Sequence, residues 1–432
     1  MKVSSWGKLS NDEHEVIFAH SENDIINKLS KIKEKVIALG MGRSYGDVCL
    51  NPKGKLVNFS HLDKFIDFNN QTGVIKCESG VLLKDINNLM VPRGWMLKTS
   101  PGTQMVTVGG AIANDVHGKN HHKVGTFGDA VKSITLLRTS GRSIYCDEAN
   151  NHDYLKATIG GIGLTGFILN AEIQLRPVSG PLIDVESIPY KSLNEFFKLS
   201  DESEEEWEYT VSWLDCLSGK NTRGIFMRGN HSSSKKIHKI KKRPINIPID
   251  FPFSPINNLS LSIFNNIYFH VNKLNSGKST RHYVPFFYPL DNITNWNRLY
   301  GRQGFYQFQC LIPRENRLLA IEEILAEISL SKSGSILSVL KTFGEKDPSG
   351  LLSFASSGVT LALDFPNNGS STVSLLNKLH KIVNRYDGKL YLAKDACMSK
   401  EMFKDTYKNY DKFLEFRDPG ISSQMSKRLF GY

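Results

Sequence analysis

The chain has 432 residues, enough for two domains that each bury a core, and its 40% apolar and 22% charged content is ordinary for a soluble globular protein. A formal net charge of +11 invites an anionic partner: phospholipid headgroups, a lipid-linked phosphate or nucleic acid. No charged-then-apolar leader and no long uncharged apolar run is present. With six scattered cysteines (Cys49, Cys77, Cys146, Cys216, Cys310, Cys397) at no metal-ligand spacing, this predicts a reduced cytoplasmic protein, at most peripheral on the inner face of the cell membrane.

A short apolar strand, 36–39, runs into Gly40-Met-Gly-Arg-Ser-Tyr-Gly-Asp47. A strand followed by a glycine turn is where backbone cups a phosphate, although the G-x-G-x-x-x-G spacing is not the dinucleotide fingerprint. Strands are predicted at 56–59 and 74–77. Leu82, Ile86, Leu89 and Met90 share a helical face that stops before Pro92 and Gly94. Residues 101–129 are too glycine-rich for regular structure and too apolar for a solvated loop. Gly102, Gly109, Gly110, Gly118, Gly125 and Gly128 let main-chain N–H groups approach a ligand, and His117, Lys119, His121 and His122 set donors beside them.

Residues 131–137 and 142–146 pattern as strands and 154–159 as a short helix. The literal G-x-G-x-x-G at 160–166 follows a helix and precedes an alternating strand, 169–175. That is the reverse of the dinucleotide-binding order, so a doubly wound fold is disfavoured. Beyond Pro177 come an acidic run (201–208), a serine cluster (232–234) and the basic run Lys235 to Arg243, each read as a solvated loop or, for the basic run, a site for an anionic partner. Residues 245–290 show no clear periodicity, and 230–285 fit a mobile lid or a membrane-contacting surface equally. Strands are predicted at 305–313, 336–343, 359–365 and 389–393. Amphipathic helices are predicted around 318–328 and 375–383, with a helical tail from Met398.

Strand alternation places Gln307 and Gln309 on one face, where their amides could meet sugar hydroxyls or simply water. Lys341 and Lys394 lie within or at the end of apolar strands. Each is either a snorkelling edge lysine or a desolvated base. His117, His121 and His122 have the i, i+4, i+5 spacing of a helical metal site, but Gly118 and the lack of nearby carboxylates at ligand spacing weigh against one. A non-catalytic nucleic-acid-binding protein would leave the glycine cradles without a role.

These stretches together resemble the vanillyl-alcohol-oxidase-type (PCMH) FAD oxidoreductases. Gly-Arg-Ser-Tyr-Gly-Asp, Thr-Val-Gly-Gly-Ala-Ile-Ala, His-Gly-Lys-Asn-His-His and Tyr-Leu-Ala-Lys-Asp395 resemble the branch that oxidises a decaprenyl-phosphate-linked ribose. Phe287 to Asp291, Trp296 to Arg298, Gln307 to Gln309 and Asp364 to Pro366 extend the likeness almost end to end. The resemblance implies an α+β fold: a two-lobed FAD-binding domain (1–178), an inserted substrate domain of antiparallel sheet and helices (179–388), and a segment (389–432) returning to the first domain. It implies FAD held by Gly40, Gly42, Arg43, Ser44, Tyr45, Gly46, Asp47, Gly102, Thr107, Val108, Gly109, Gly110, Asn114, His117, Gly118, Ile168 and Tyr391. No histidine occupies the first loop, so non-covalent FAD is expected.

His117, Lys394 and Tyr45 are the implied catalytic residues, and Lys119, Gln307, Gln309, Lys341 and Lys394 the substrate-binding ones. The implied substrate is a lipid-linked or nucleotide-linked sugar. The implied partner is a separate NAD(P)H-dependent short-chain reductase that completes an epimerisation in cell-surface polysaccharide biosynthesis. Thr360 and Ala362 stand where the mycobacterial branch carries Asn and Cys, which puts the arabinan-wall precursor itself in doubt. The alternative is a soluble aldonolactone or alditol oxidase using oxygen.

Overall fold

The computed structural model describes residues 1–219, 222–234 and 245–431, so the basic run at 235–243 lies outside the described residues. The fold is α+β. In the first lobe Glu15–Phe18 and Val36–Leu39 pair in parallel on either side of Lys55–Asn58. In the second, antiparallel strands run in the order Phe65–Asn69, Val74–Glu78, Phe167–Pro177, Val131–Leu137, Ser143–Asp147, with Trp95–Leu97 on the far end of Phe167–Pro177. Alternation explains the pairing: Ile75, Cys77, Ile134, Ala171 and Ile173 all turn into one core. The helix Leu83–Met90 closes that core with Leu83, Ile86 and Met90, each fully buried aliphatic contributing about 1.5–3 kcal/mol. It gives way to a single 3₁₀ turn holding Pro92, which Gly94 ends at φ 83°.

The second half is one eight-stranded sheet, antiparallel at every pairing. Its order is Gly277–His282, Leu182–Tyr190, Gly224–His231, Tyr209–Leu214, Ser338–Phe343, Gly358–Pro366, Phe305–Ile312, Lys389–Leu390. Helices Leu193–Ser203, Arg317–Ser331 and Ser370–Arg385 cover one face, where Ile321, Ile324, Leu379 and Val383 share a core with Phe308, Cys310, Leu340 and Leu361. The period of two then turns Gln307, Gln309, Lys341 and Thr360 out of that core into a cavity shared with the first half.

Three predictions differ, the first being the glycine-rich stretch 101–129, which contains the short helices Val108–Ala113 and His121–Val124. The last strand stops at Leu390, because residues 391–395 form a turn in which the Lys394 and Asp395 amides both donate to Tyr391 O. The stretch without periodicity contains a capped helix, Asn258–Leu274. Its apolar residues lie on two opposite faces, so no single stripe shows in the sequence. Beyond the turn the chain returns to the first lobe, where Ile421 pairs with Val36 and Ser422 N–H donates to Val36 O.

Candidate active site

A cavity of about 700 Å³ runs between the two lobes and the open face of the large sheet. At one end the strand Val36–Leu39 feeds the first glycine loop. Gly42 sits at φ 61°, a conformation that costs an L-residue about 1–2 kcal/mol. Among the described residues, the N–H groups of Met41, Gly42, Arg43 and Ser44 have no protein acceptor. The second loop packs directly on the first: a Cβ on Gly40 would lie 2.6 Å from Thr107 Oγ1.

The second loop does not work as the sequence suggests. Val108 N–H donates to Val81 O, Gly109 N–H to Ser79 O, and Gly110 N–H to the capping Thr107 hydroxyl. Those three amides are consumed by the 79–81 segment and the helix cap, and the loop offers side chains and bare glycine surface instead.

Arg43 Nε, Ser79 Oγ, Gln104 Oε1 and Asn114 Oδ1 are buried without a hydrogen-bond partner, and all four residues line this cavity. Buried polar atoms are rarely left unpaired, so a cluster of them marks a polar ligand. Free amides and an arginine at one end, and amide oxygens along the wall, fit the pyrophosphate and the hydrogen-bonding edges of FAD. Tyr391, whose hydroxyl donates to Asn114 O at 2.7 Å, and the apolar Ile168 complete that wall.

The other end is a cluster of titratable side chains. His117 is held at both ring nitrogens, by Gln309 Nε2 at 2.9 Å and by Lys341 Nζ at 3.2 Å. Whichever partner donates, the ring has no free lone pair for a substrate proton. Burial, and then Lys341, His121 and Lys394, hold the imidazole well below its ordinary pKa. Lys341 also donates to Gly118 O, and burial followed by the Lys119 and Lys394 charges lowers it to about 7. Lys119 donates to Phe287 O, and burial lowers it to about 8.

Lys394 Nζ stands 3.8 Å from the Tyr45 ring centroid, and burial depresses its pKa against the opposing pull of Asp364. The Tyr45 phenol is pushed well above its ordinary value, chiefly by burial and then by Asp364, so it stays protonated and serves as a donor.

Most of the predicted positions meet here: Gly40, Gly42, Arg43, Ser44, Tyr45, Gly102, Thr107, Gly109, Gly110, Asn114, His117, Gly118, Lys119, Ile168, Gln307, Gln309, Lys341, Tyr391 and Lys394 all line the cavity. Three do not. Asp47 turns away to a two-pronged ion pair with Arg428, at 2.8 and 3.0 Å. Gly46 packs so closely on Asp395 that a Cβ would lie 1.7 Å from its carbonyl oxygen, and Val108 is fully buried in the core.

The three clustered histidines also part. His121 packs on Phe343 and His122 faces Trp207 O at 2.8 Å. The sequence reading missed Asp364, fully buried, which accepts from Gln307 Nε2 at 2.5 Å and has its pKa raised by burial. It pairs across the ladder with Gln307, 57 residues earlier. Trp6, stacked on Arg43 at 4.1 Å, was also missed.

Residues 14–147 match the FAD binding domain family, and with a cradle of this chemistry the protein is an FAD-dependent oxidoreductase. The chain is 31% identical to decaprenylphosphoryl-beta-D-ribose oxidase of Mycolicibacterium smegmatis, across 99% of this chain and 97% of that protein. It belongs to that enzyme's family. L-gulonolactone oxidase of Scyliorhinus torazame is 25% identical over 41% of this chain and 40% of its own length. D-arabinono-1,4-lactone oxidase of Saccharomyces cerevisiae is 22% identical over 40% of this chain and 34% of its own.

Proposed function

We propose that the protein oxidises a secondary hydroxyl of a lipid-phosphate-linked or nucleotide-linked sugar to a keto sugar. Non-covalently bound FAD supplies the hydride acceptor. Lys394 is the residue we assign to the hydroxyl proton. Packed against Tyr45, its amine has a pKa lowered by burial toward neutrality, whereas the ring nitrogens of His117 are both engaged. Gln307 and Gln309 face the sugar, Lys119 and Lys341 lend positive charge to an anionic substrate, and His117 holds the ring edge of the cofactor in place. Relayed support comes from Asp364, which orients Gln307.

The observation that carries this reading is the desolvated Lys394 amine at the sheet end of a cavity whose opposite end fits a dinucleotide. The M. smegmatis relative acts, by its name, on a lipid-linked ribose, which favours the lipid-phosphate class. On this reading the keto sugar is the first half of an epimerisation in surface polysaccharide synthesis, a separate NAD(P)H-dependent short-chain reductase completes it, and the work is done at the inner face of the membrane. Among the described residues no helix is long and apolar enough to cross a membrane. We also propose 178/179 as the start of the inserted domain; the 388/389 limit expected from the sequence moves past Leu390, which still pairs in its sheet.

The lactone oxidases align over only about two fifths of the chain. An aldonolactone or alditol oxidase is therefore the second reading. Anaerobic mixing with polyprenyl-phosphate sugars, nucleotide sugars and free sugars separates the two. Bleaching of the flavin band by either phosphate-linked class is expected; bleaching by free sugars alone, with peroxide on admitting oxygen, overturns the proposal.

A further inference from the structure

Nine of the sixteen exposed large apolar side chains among the described residues fall between Ile245 and Leu274. Five of them, Leu259, Ile263, Ile267, Val271 and Leu274, follow one another at intervals of four, four, four and three along the helix Asn258–Leu274 and are 49–86% exposed. That spacing is one face of a helix. The buried face is offset by two residues, to Leu261, Asn265 and Phe269, on the opposite side.

The helix is fixed in this orientation. Asn265 Nδ2 donates to Asp215 Oδ1 at 2.7 Å, Arg223 bridges Asp215 to Asn266, and Phe269 packs on Trp213 and Ile225. The outward side of a water-exposed helix is ordinarily polar throughout; here a continuous aliphatic row runs beside a polar one of Ser262, Asn266, His270 and Lys273.

The segment's own charge is almost all of one sign; Asp215 beneath the helix is paired with Arg223, and Glu186, opposite Lys278 in the ladder, with Arg228. The helix contains no Asp or Glu. Lys273 lies in its last turn and Lys278 in the strand that follows. From Ile245 to Leu290 the sequence has a single acidic residue, Asp250, which is ion-paired with Lys8. The same helix gives Tyr268 and Asn272 to the wall of the active-site cavity, and Arg281 joins them from the next strand.

We infer that Asn258–Leu274 lies in the plane of an anionic lipid bilayer, with Leu259, Ile263, Ile267, Val271 and Leu274 in the acyl boundary and Lys273 and Lys278 at the headgroups. Aliphatic residues in a row along a helix that carries no acidic side chain of its own, with lysines at the margin, are what such a surface selects. A protein partner would not require charge of one sign. The arrangement sets the cavity wall beside the membrane, so a lipid-anchored sugar reaches the cavity with its chain still in the bilayer. This last point rests on the lipid-linked reading of the substrate; the docking itself does not.

The test is co-sedimentation of the full FAD-loaded protein with phosphatidylglycerol vesicles and with phosphatidylcholine vesicles. Binding to the anionic vesicles is expected. It should fall about tenfold or more in Ile263→Asp/Ile267→Asp, which removes apolar burial. About tenfold is also expected in Lys273→Glu/Lys278→Glu at low salt. The flavin spectrum should be unchanged in both, since none of the four residues lines the cavity. A parent protein that stays in the supernatant overturns the inference, as does an Ile263→Asp/Ile267→Asp protein that binds as well as the parent. So does a concentration-dependent dimer, seen by sedimentation velocity without vesicles, that the aspartates abolish while vesicle binding persists. Reduction by a short-chain, water-soluble phosphate-linked sugar is measured alongside. Failure of vesicle binding with that reduction intact removes the docking alone, and the converse removes the substrate reading alone.

Discussion

The two ends of the cavity hold their ligands by different means. At the glycine-loop end the donors are main-chain N–H groups from Met41 to Ser44 and a guanidinium, partial and full charges that do not titrate near neutral pH. At the sheet end three part-buried lysines, a buried histidine and a buried aspartate each have a pKa displaced by desolvation, so that end is tuned by pH. On the proposed reading the difference separates retention of the cofactor from reactivity, and each should yield to substitution without the other.

Lys394→Met carries the largest expected effect. Loss of a general base should slow flavin reduction by about 10²–10⁴-fold in stopped-flow mixing with substrate, while the ratio of flavin to protein absorbance stays at the parent value. In the parent the same rate should rise with pH and level off once the Lys394 amine is neutral, because only the unprotonated form accepts a proton. A rate flat in pH, or a Lys394→Met protein that loses FAD, would break the separation.

Gly42→Val tests the other end. A β-branched residue at φ 61° costs about 1–2 kcal/mol, so FAD affinity should fall about tenfold by titration of the apoprotein. The fraction that remains loaded should be reduced at the parent rate.

The smallest effect is on stability. Lys341 titrates at about 7 in the fold, below the 10.5 of a free lysine. Between those values the unfolded chain binds more protons, so the stability this group withholds returns as pH rises; below pH 7 its desolvation cost is present in full. Lys341→Met removes that cost and gives up bonds to His117 and Gly118 that are together worth about 1–2 kcal/mol. The melting midpoint of the apoprotein should therefore exceed the parent's by a few degrees near pH 6. That gap should close or reverse toward pH 10.

Much of this was legible in the sequence. The glycines of both loops, the alternation that turns Gln307 and Gln309 together, and the order of strands and helices from 305 to 385 are local patterns, and the fold preserves them. What was not legible is decided by partners far away along the chain. Asp47 reads as part of a phosphate loop, yet Arg428, 381 residues on, turns it outward. Val108 to Gly110 read as free amides until Val81 and Ser79 accept from the first two and Thr107 from the third. Asp364 appears in the sequence only as one letter of a short motif, and the ladder register alone sets it under Gln307. The helix Asn258–Leu274 escaped because apolar residues stand on both its buried and its exposed side, with only a narrow polar row of Ser262, Asn266, His270 and Lys273 between them, so no single apolar stripe gives it a period.

Arg428 does more than hold Asp47. Its Nη1 lies 2.9 Å from Asp395 Oδ2 and donates to Met398 O, so one guanidinium joins the first glycine loop to the turn that presents Lys394. Of the segments that shape the cavity it is the last to be synthesised. In a growing polypeptide this tie, which reinforces the Tyr45 N–H to Ala393 O bond between the same two segments, can form only once positions near 430 have left the ribosome.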